Sequence, residues 1–359
     1  MIEKSVKYTN RKFFPGNYLF KPEWIVLGVN NVCNLHCKMC DVGTNNKETN
    51  FAQNLIGTSP MNMPLELITK IIDEISIHYP NTKLGYAFTE PLVYPHLEAS
   101  LKYAKSKNIK TSVTTNALTL KQKAKTLAES SLTELYISLD GPQNIHNEIR
   151  GHEKSFQKAI EGIEELWRIN PSQSISVFCV ITEWNIGYLK EFTDFFATYP
   201  LKQLGFMHTN FTQQHIADKH NIIWHHSYPA TASNTEGINT DNFDLELLWD
   251  EIKEIKKDTY RFPITFSPEM NSKEKLMEYY LKPEKILGKM CNDVFTSIMI
   301  KSDGSVIPSH GRCYNLNIGN LYNDSLKEIW NSHILKKFRK DLMANGGLFP
   351  ACSRCCSSF

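Results

Sequence analysis

Residues 24–40 read WIVLGVNNVCNLHCKMC: an apolar, strand-like run from Trp24 to Val29, then a loop carrying Cys33, Cys37 and Cys40. Three thiolates at C-x3-C-x2-C spacing can hold three irons of a [4Fe–4S] cube and leave the fourth without a protein ligand. Such clusters are normally held by four cysteines, so a compact loop of three points to an open, reactive corner. The strand leading into the loop places it at a strand's C-terminal end, where barrel-type α/β folds carry their chemistry. Zinc takes a tetrahedral set of four ligands, and His36, between two cysteines of a tight loop, completes one only with difficulty. A disulfide framework fits badly in a chain of this length without a secretory signal. Packing cysteines are common in cores, but not three within eight residues beside polar and charged neighbours.

The 359 residues suffice for one large domain plus a small appendage. Hydrophobic content of 41% and charged content of 22% are those of a globular protein. A formal charge of +2 gives no reason to expect nucleic acid or an anionic membrane as partner. No apolar run has the length of a membrane span, and the N-terminus lacks an uninterrupted apolar segment of the export type. Nine cysteines without such a signal point to a reducing compartment, the cytoplasm, and to metal or catalytic use.

Apolar runs alternate with helical patterns from residue 24 to about 207. Strands are expected at Trp24–Val29, Leu84–Phe88, Ile109–Val113, Glu134–Leu139, Ser174–Ile181 and Gln203–Met207. Helices are expected at Leu65–Ile77, with Leu67, Ile68, Ile71, Ile72 and Ile75 on one stripe, and at Phe156–Trp167. Strands alternating with helices make parallel βα units and a helix-covered sheet, the α/β class. Six units are too few for a closed eight-stranded barrel. Residues 208 to about 243 break the rhythm with a polar stretch carrying His208, His215, His220, His225 and His226. Their spacing forms no compact ligand set; they read as surface or substrate-facing residues in a binding loop. An amphipathic helix follows at Asp244–Lys257.

A second cysteine group closes the chain. Cys291 precedes VFTSIMIKSDGSVIPS, a β-hairpin turning at Asp303-Gly304, and then come Cys313, Cys352, Cys355 and Cys356. Cys291, Cys313, Cys352 and Cys355 supply four thiolates, enough for a second cube or for a structural zinc.

The first triplet resembles the signature of the radical S-adenosylmethionine (radical SAM) superfamily, with Met39 where that family usually has an aromatic. The C-terminal group resembles its SPASM/twitch extension through Cys291, Gly304, Ile318-Gly319-Asn320, the helix at Leu326–Trp330 and the last cysteines. The resemblance implies a partial (β/α)6 TIM-like barrel with a small C-terminal cysteine-rich domain. Its expected segments are an N-terminal extension (1–20), a radical SAM core (21–207), a connecting region (208–285) and an auxiliary domain (286–359). The family's hairpin cysteine is replaced here by Ser309, so Cys313 becomes the expected ligand, with His310 a second candidate.

The resemblance also implies a SAM site along one rim. In FTEPLVYPHL, Thr89 replaces a glycine of the family's turn while Glu90 and Pro91 remain. Thr115 and Asn116 end the third strand, Ser138 and Asp140 the fourth, and Arg150 offers a fork for the SAM carboxylate. The implied cofactors are a SAM-binding [4Fe–4S] cluster, an auxiliary [4Fe–4S] cluster and SAM. An external electron donor such as flavodoxin or ferredoxin completes the implied set. The implied chemistry is SAM cleavage to a 5′-deoxyadenosyl radical, hydrogen abstraction and net two-electron oxidation, with His310 as a candidate base. Only about 32 residues precede Cys33, which favours a small polar substrate over a peptide. Epimerisation and peptide maturation remain the alternative reactions, and a non-catalytic metal-bound module the alternative class.

Overall fold

The computed structural model describes residues 2–235 and 237–359. Its strands are β1 (Trp24–Leu27), β2 (Lys83–Tyr86), β3 (Thr111–Thr115), β4 (Glu134–Ser138), β5 (Ile175–Ile181), β6 (Gln203–His208), β7 (Ile264–Ser267), β8 (Ser297–Ile300), β9 (Ser305–Pro308) and β10 (Gly319–Asn320). They form one open sheet in the order β10-β9-β8-β1-β2-β3-β4-β5-β6-β7. From β1 to β6 each strand pairs in parallel with the next in sequence, the partial (β/α)6 barrel. β7 adds a seventh parallel strand that the sequence pattern does not show.

The parallel strands form here because their short, mostly apolar or β-branched segments are covered on both faces, as parallel sheets require. Ile25, Leu27, Leu84, Val113, Leu135, Ile137, Val177 and Leu204 are all fully buried. The helix Leu65–His78 seats Leu67, Ile68, Ile71, Ile72 and Ile75 against them, the stripe expected from the period. Each such isoleucine contributes roughly 1.5–3 kcal/mol by its burial. The helix Ser155–Ile169 buries Phe156, Ala159, Ile163 and Leu166. Parallel pairing sends every loop that follows β1 to β6 to the same rim, so the fold itself gathers the site.

The C-terminal hairpin extends the same sheet. β8 lies parallel to β1 (Ile25 beside Ile298) and β9 returns antiparallel, with Gly304 in the turn at φ +77°. That left-handed value favours glycine. The N-terminal extension is a helix, Ile2–Phe13, followed by a short 3-10 turn, and it reaches the C-terminal end of the chain. Arg11 donates to Asn292 Oδ1 at 2.7 Å, and Trp330 Nε1 donates to Phe20 O at 2.9 Å.

The polar stretch after β6 is not one long loop. It contains the helix Gln214–Trp224, which buries Ile216, Ala217 and His220. His220 Nε2 donates to Tyr228 O (2.7 Å) and its ring stacks on Tyr314; His208 meets Tyr280 Oη at 2.9 Å. Burial drives the His208 pKa down to about 3, so it is neutral core. The expectation of surface or substrate-facing histidines therefore holds for His215, His225 and His226, which are exposed, and fails for His208 and His220.

Candidate active site

The ligand loop after β1 is fixed from three sides. Lys38 N donates to Ile149 O (2.9 Å), and Cys40 N to Cys37 O (3.2 Å). Gly43 passes so close that a Cβ there would stand 2.3 Å from Cys37 O, which makes glycine obligatory. The third fixture is Asp41, which is 1% exposed. Its carboxylate accepts from Ser233 Oγ (2.7 Å) and Asn234 N (2.9 Å), tying the loop to the segment beyond β6. Neither Gly43 nor Asp41 is marked in the sequence, since their partners are backbone close by or residues nearly two hundred positions away.

Cys33, Cys37 and Cys40 are unpaired, and burial raises the pKa of Cys33 and Cys37, with the Cys40 thiolate adding to both. Burial pushes the Cys37 thiol up to about 12, opposed by the Arg150 guanidinium, whose Nη1 lies 3.7 Å from Cys37 Sγ.

The expected rim residues are all present, and most are held by one another. Glu90 is buried; Oε1 accepts from Thr115 Oγ1 (2.6 Å) and Leu92 N (2.9 Å), and Oε2 from Asn116 N (2.8 Å). Burial raises the Glu90 pKa, and those three donors work against the rise. A carboxylate has about four acceptor positions, so one remains for an ammonium group. Thr89 Oγ1 donates to Asn30 O (2.8 Å). Asn116 Nδ2 donates to Asn34 Oδ1 in the ligand loop (2.8 Å). Ser138 is half-buried at the end of β4, and its hydroxyl bonds to no described residue. Asp140 and Arg150 form a buried ion pair through Arg150 Nε. Arg150 is thus engaged with Asp140 and Cys37.

The auxiliary cysteines converge on a cavity of about 80 Å³ lined by Cys291, Cys313, Cys352 and Cys355. A water needs only about 10–15 Å³ of such space, so a larger group fits. Burial raises the pKa of Cys291, Cys313 and Cys352. Cys313 reaches the cavity through a turn closed by Cys313 N to His310 O (2.9 Å). Asn54, 1% exposed, grips that turn by donating to Gly311 O (2.9 Å) and Cys313 O (2.8 Å).

His310 sits at the edge of this group, Nε2 3.9 Å from both Cys355 Sγ and Cys356 Sγ. The backbone N–H of Arg312 donates to Nδ1 (3.1 Å), so Nε2 carries the proton of the neutral ring and donates to Ser357 Oγ (2.7 Å). Ser357 in turn donates to Asp293 Oδ2 (2.5 Å). Both ring nitrogens have partners in the chain, so the candidate base has no free lone pair facing the cavity.

The two cysteine groups face one region. Phe51, Leu55, Met299 and Ile307 form an apolar cluster against which Cys40 packs, and Phe51 also lines the auxiliary cavity. An α/β rim with a three-cysteine loop thus stands beside a hairpin domain with five more cysteines, two separate thiol sets of the kind that hold iron–sulfur clusters.

Residues 28–196 match the family model described as the Radical SAM superfamily, and residues 291–356 match SPASM, an iron–sulfur cluster-binding domain. The chain carries a radical SAM domain joined to a SPASM domain. These domains imply a SAM-binding [4Fe–4S] cluster, SAM and auxiliary iron–sulfur binding. A serine-type anaerobic sulfatase-maturating enzyme of Bacteroides thetaiotaomicron is 28% identical over 189 residues, covering 49% of this chain and 44% of that protein. The match therefore spans under half the length of that curated relative. SuiB of Streptococcus suis, bound to precursor peptide SuiA, superposes with a TM-score of 0.64 at 16% identity, over 98% of this chain and 75% of its own. Native anSMEcpe with bound AdoMet gives 0.61 at 18%, over 88% of this chain and 82% of its own. At these identities the structural likeness concerns the fold. No helix among the described residues is long and apolar enough to cross a membrane.

Proposed function

We propose that this enzyme oxidises a residue of a peptide or protein substrate. The observation that carries the reading is the shared space: the auxiliary cysteines and Phe51 wall one cavity, and the apolar cluster that includes Phe51 packs on Cys40. A substrate held on the Phe51 side of that cavity, beyond the group that the cysteines would hold, lies between the two cysteine groups. Cys33, Cys37 and Cys40 would hold the SAM-binding cluster, and Cys291, Cys313, Cys352 and Cys355 the auxiliary one. With SAM bound, these groups supply hydrogen-atom abstraction and an acceptor for a second electron.

The chain's own residues orient this chemistry. Arg150 and Asp140 hold the Cys37 side of the ligand loop, and Asn116 holds Asn34. Thr89 anchors the Glu90 turn, leaving the Glu90 carboxylate as the group that would receive the SAM ammonium. Ser138 offers a free hydroxyl at the same rim. His310, through Ser357 and Asp293, positions the turn that carries Cys313 rather than taking a substrate proton. The curated relative's name describes maturation of a sulfatase, which is itself a protein, and supports a peptide substrate over a small polar one. A reducing cytoplasm and an external one-electron donor of the flavodoxin or ferredoxin kind belong to the same proposal.

Anaerobically loaded enzyme given SAM, dithionite and serine- or cysteine-containing peptides should release 5′-deoxyadenosine and a peptide lighter by two hydrogens. Release of 5′-deoxyadenosine with every peptide unchanged, while a polyol or aminosugar is oxidised, would return the reading to small molecules.

A further inference from the structure

Arg312 stands apart from the other inward-facing arginines. Arg150 pairs with Asp140, Arg339 donates to Val294 O and Trp330 O, and Arg354 donates to five backbone carbonyls. The Arg312 guanidinium has no hydrogen-bond or ion-pair partner among the described residues. It is nevertheless held in place. Its backbone N–H is bonded to His310, and Asn54 clamps the carbonyls of Gly311 and Cys313 on either side. Its guanidinium carbon lies 4.2 Å from the Phe51 ring centroid, and the side chain lines the cavity of the auxiliary cysteines.

A guanidinium seated over an aromatic ring and without a partner in the chain keeps its donors free for a planar, two-pronged acceptor. The same cavity holds two more unsatisfied groups: the Ser309 hydroxyl, which is 1% exposed, and the buried Asn210 Oδ1. A buried polar atom left without a partner costs about 1–3 kcal/mol, so these two, beside the half-buried Arg312 guanidinium on the same wall, mark a place for a polar ligand. We propose that Arg312 is a substrate-binding residue that takes a carboxylate, and that the substrate is a peptide presenting an acidic side chain beside the reacting residue. Asn210 Oδ1 then accepts an amide N–H of the same peptide. The identity of the carrier as a peptide rests on the function proposed above; the carboxylate does not.

The test uses the loaded enzyme with SAM and two probes, acetyl-Ala-Gly-Asp-Gly-Ala-amide and its counterpart with Asn for Asp, plus acetate. Binding is followed by calorimetry and by protection of the Arg312 guanidinium from butanedione, read by mass spectrometry. The acidic peptide should bind about tenfold or more tighter than the amide peptide. Arg312→Gln should erase that difference, Arg312→Lys should restore part of it, and both should keep the iron content of wild type. Equal binding of the two peptides to wild type overturns the proposal. So does loss of auxiliary iron in Arg312→Gln, because the guanidinium would then serve the charge of the cluster. Protection by acetate but by neither peptide sustains the carboxylate site while rejecting the peptide reading.

Discussion

Removing the Asp41 carboxylate should release the segment beyond β6 from the ligand loop without unfolding the barrel. In Asp41→Ala, Ser233 Oγ and Asn234 N both lose an acceptor that is buried and charged. Hydrogen bonds to charged groups contribute about 1.5–3 kcal/mol each. At 1.4 kcal/mol per factor of ten, the Asn234 bond alone corresponds to roughly a 10- to 150-fold rise in local opening. Native-state hydrogen exchange reads this directly, because the Asn234 amide is itself the donor. Amides of β1 such as Ile25 should exchange as in wild type. Asp41→Asn keeps one carbonyl oxygen for Asn234 and should show a smaller rise. The ligand loop keeps its internal bond from Asn46 N to Asp41 O (2.8 Å), so iron content should hold in both variants. An unchanged Asn234 amide in Asp41→Ala, or an equal rise at Ile25, would refute the latch.

Reconstituted enzyme should hold on the order of eight irons per chain, and replacing Cys33, Cys37 and Cys40 together with Ala should leave about half and abolish SAM cleavage; full iron in that triple variant rejects the assignment. Cys313→Ala should lower auxiliary iron while SAM cleavage persists in part, whereas an auxiliary electron paramagnetic resonance signal identical to wild type would exclude Cys313 as a ligand. Cys179 is fully buried, with Asn185 Nδ2 3.5 Å from its sulfur, so Cys179→Ala should leave turnover in heavy water unchanged. Deuterium gained at a substrate carbon by wild type and not by this variant would make the reaction an epimerisation.

The six strands from β1 to β6 were legible because short segments with apolar or β-branched residues recur between helical periods, and every bound lies within two residues of its expectation. β7 escaped because ITFS is short, alternates weakly and lies between Pro263 and Pro268, residues that argue against a strand. The helix Gln214–Trp224 hid behind its polar face, with three buried residues too few to set a period. The candidate site divides the same way. Cysteines and rim residues announce themselves by type and spacing. Asp41, Asn54 and Arg312 do not, because their meaning lies in partners distant in the chain, and no local pattern encodes them.

The displacement of the hairpin ligand shows how the fold absorbs a change that a motif cannot. Ser309 follows β9 directly, in a left-handed conformation at φ +69° that turns the chain sharply as it leaves the sheet. The next four residues close a turn from His310 to Cys313 and return to the cavity wall. Asn54 sets the height of that turn, and the His310–Ser357–Asp293 chain sets its lean. On the proposed ligand set, a thiol four residues late thus reaches the cavity that Ser309 also lines. The intervening residues are carried with it, and Arg312 is one of them. With Cys313 as the proposed ligand, the same turn carries a guanidinium to the Phe51 wall. In this chain, the choice of auxiliary ligand and the charge of the substrate pocket are two consequences of one turn.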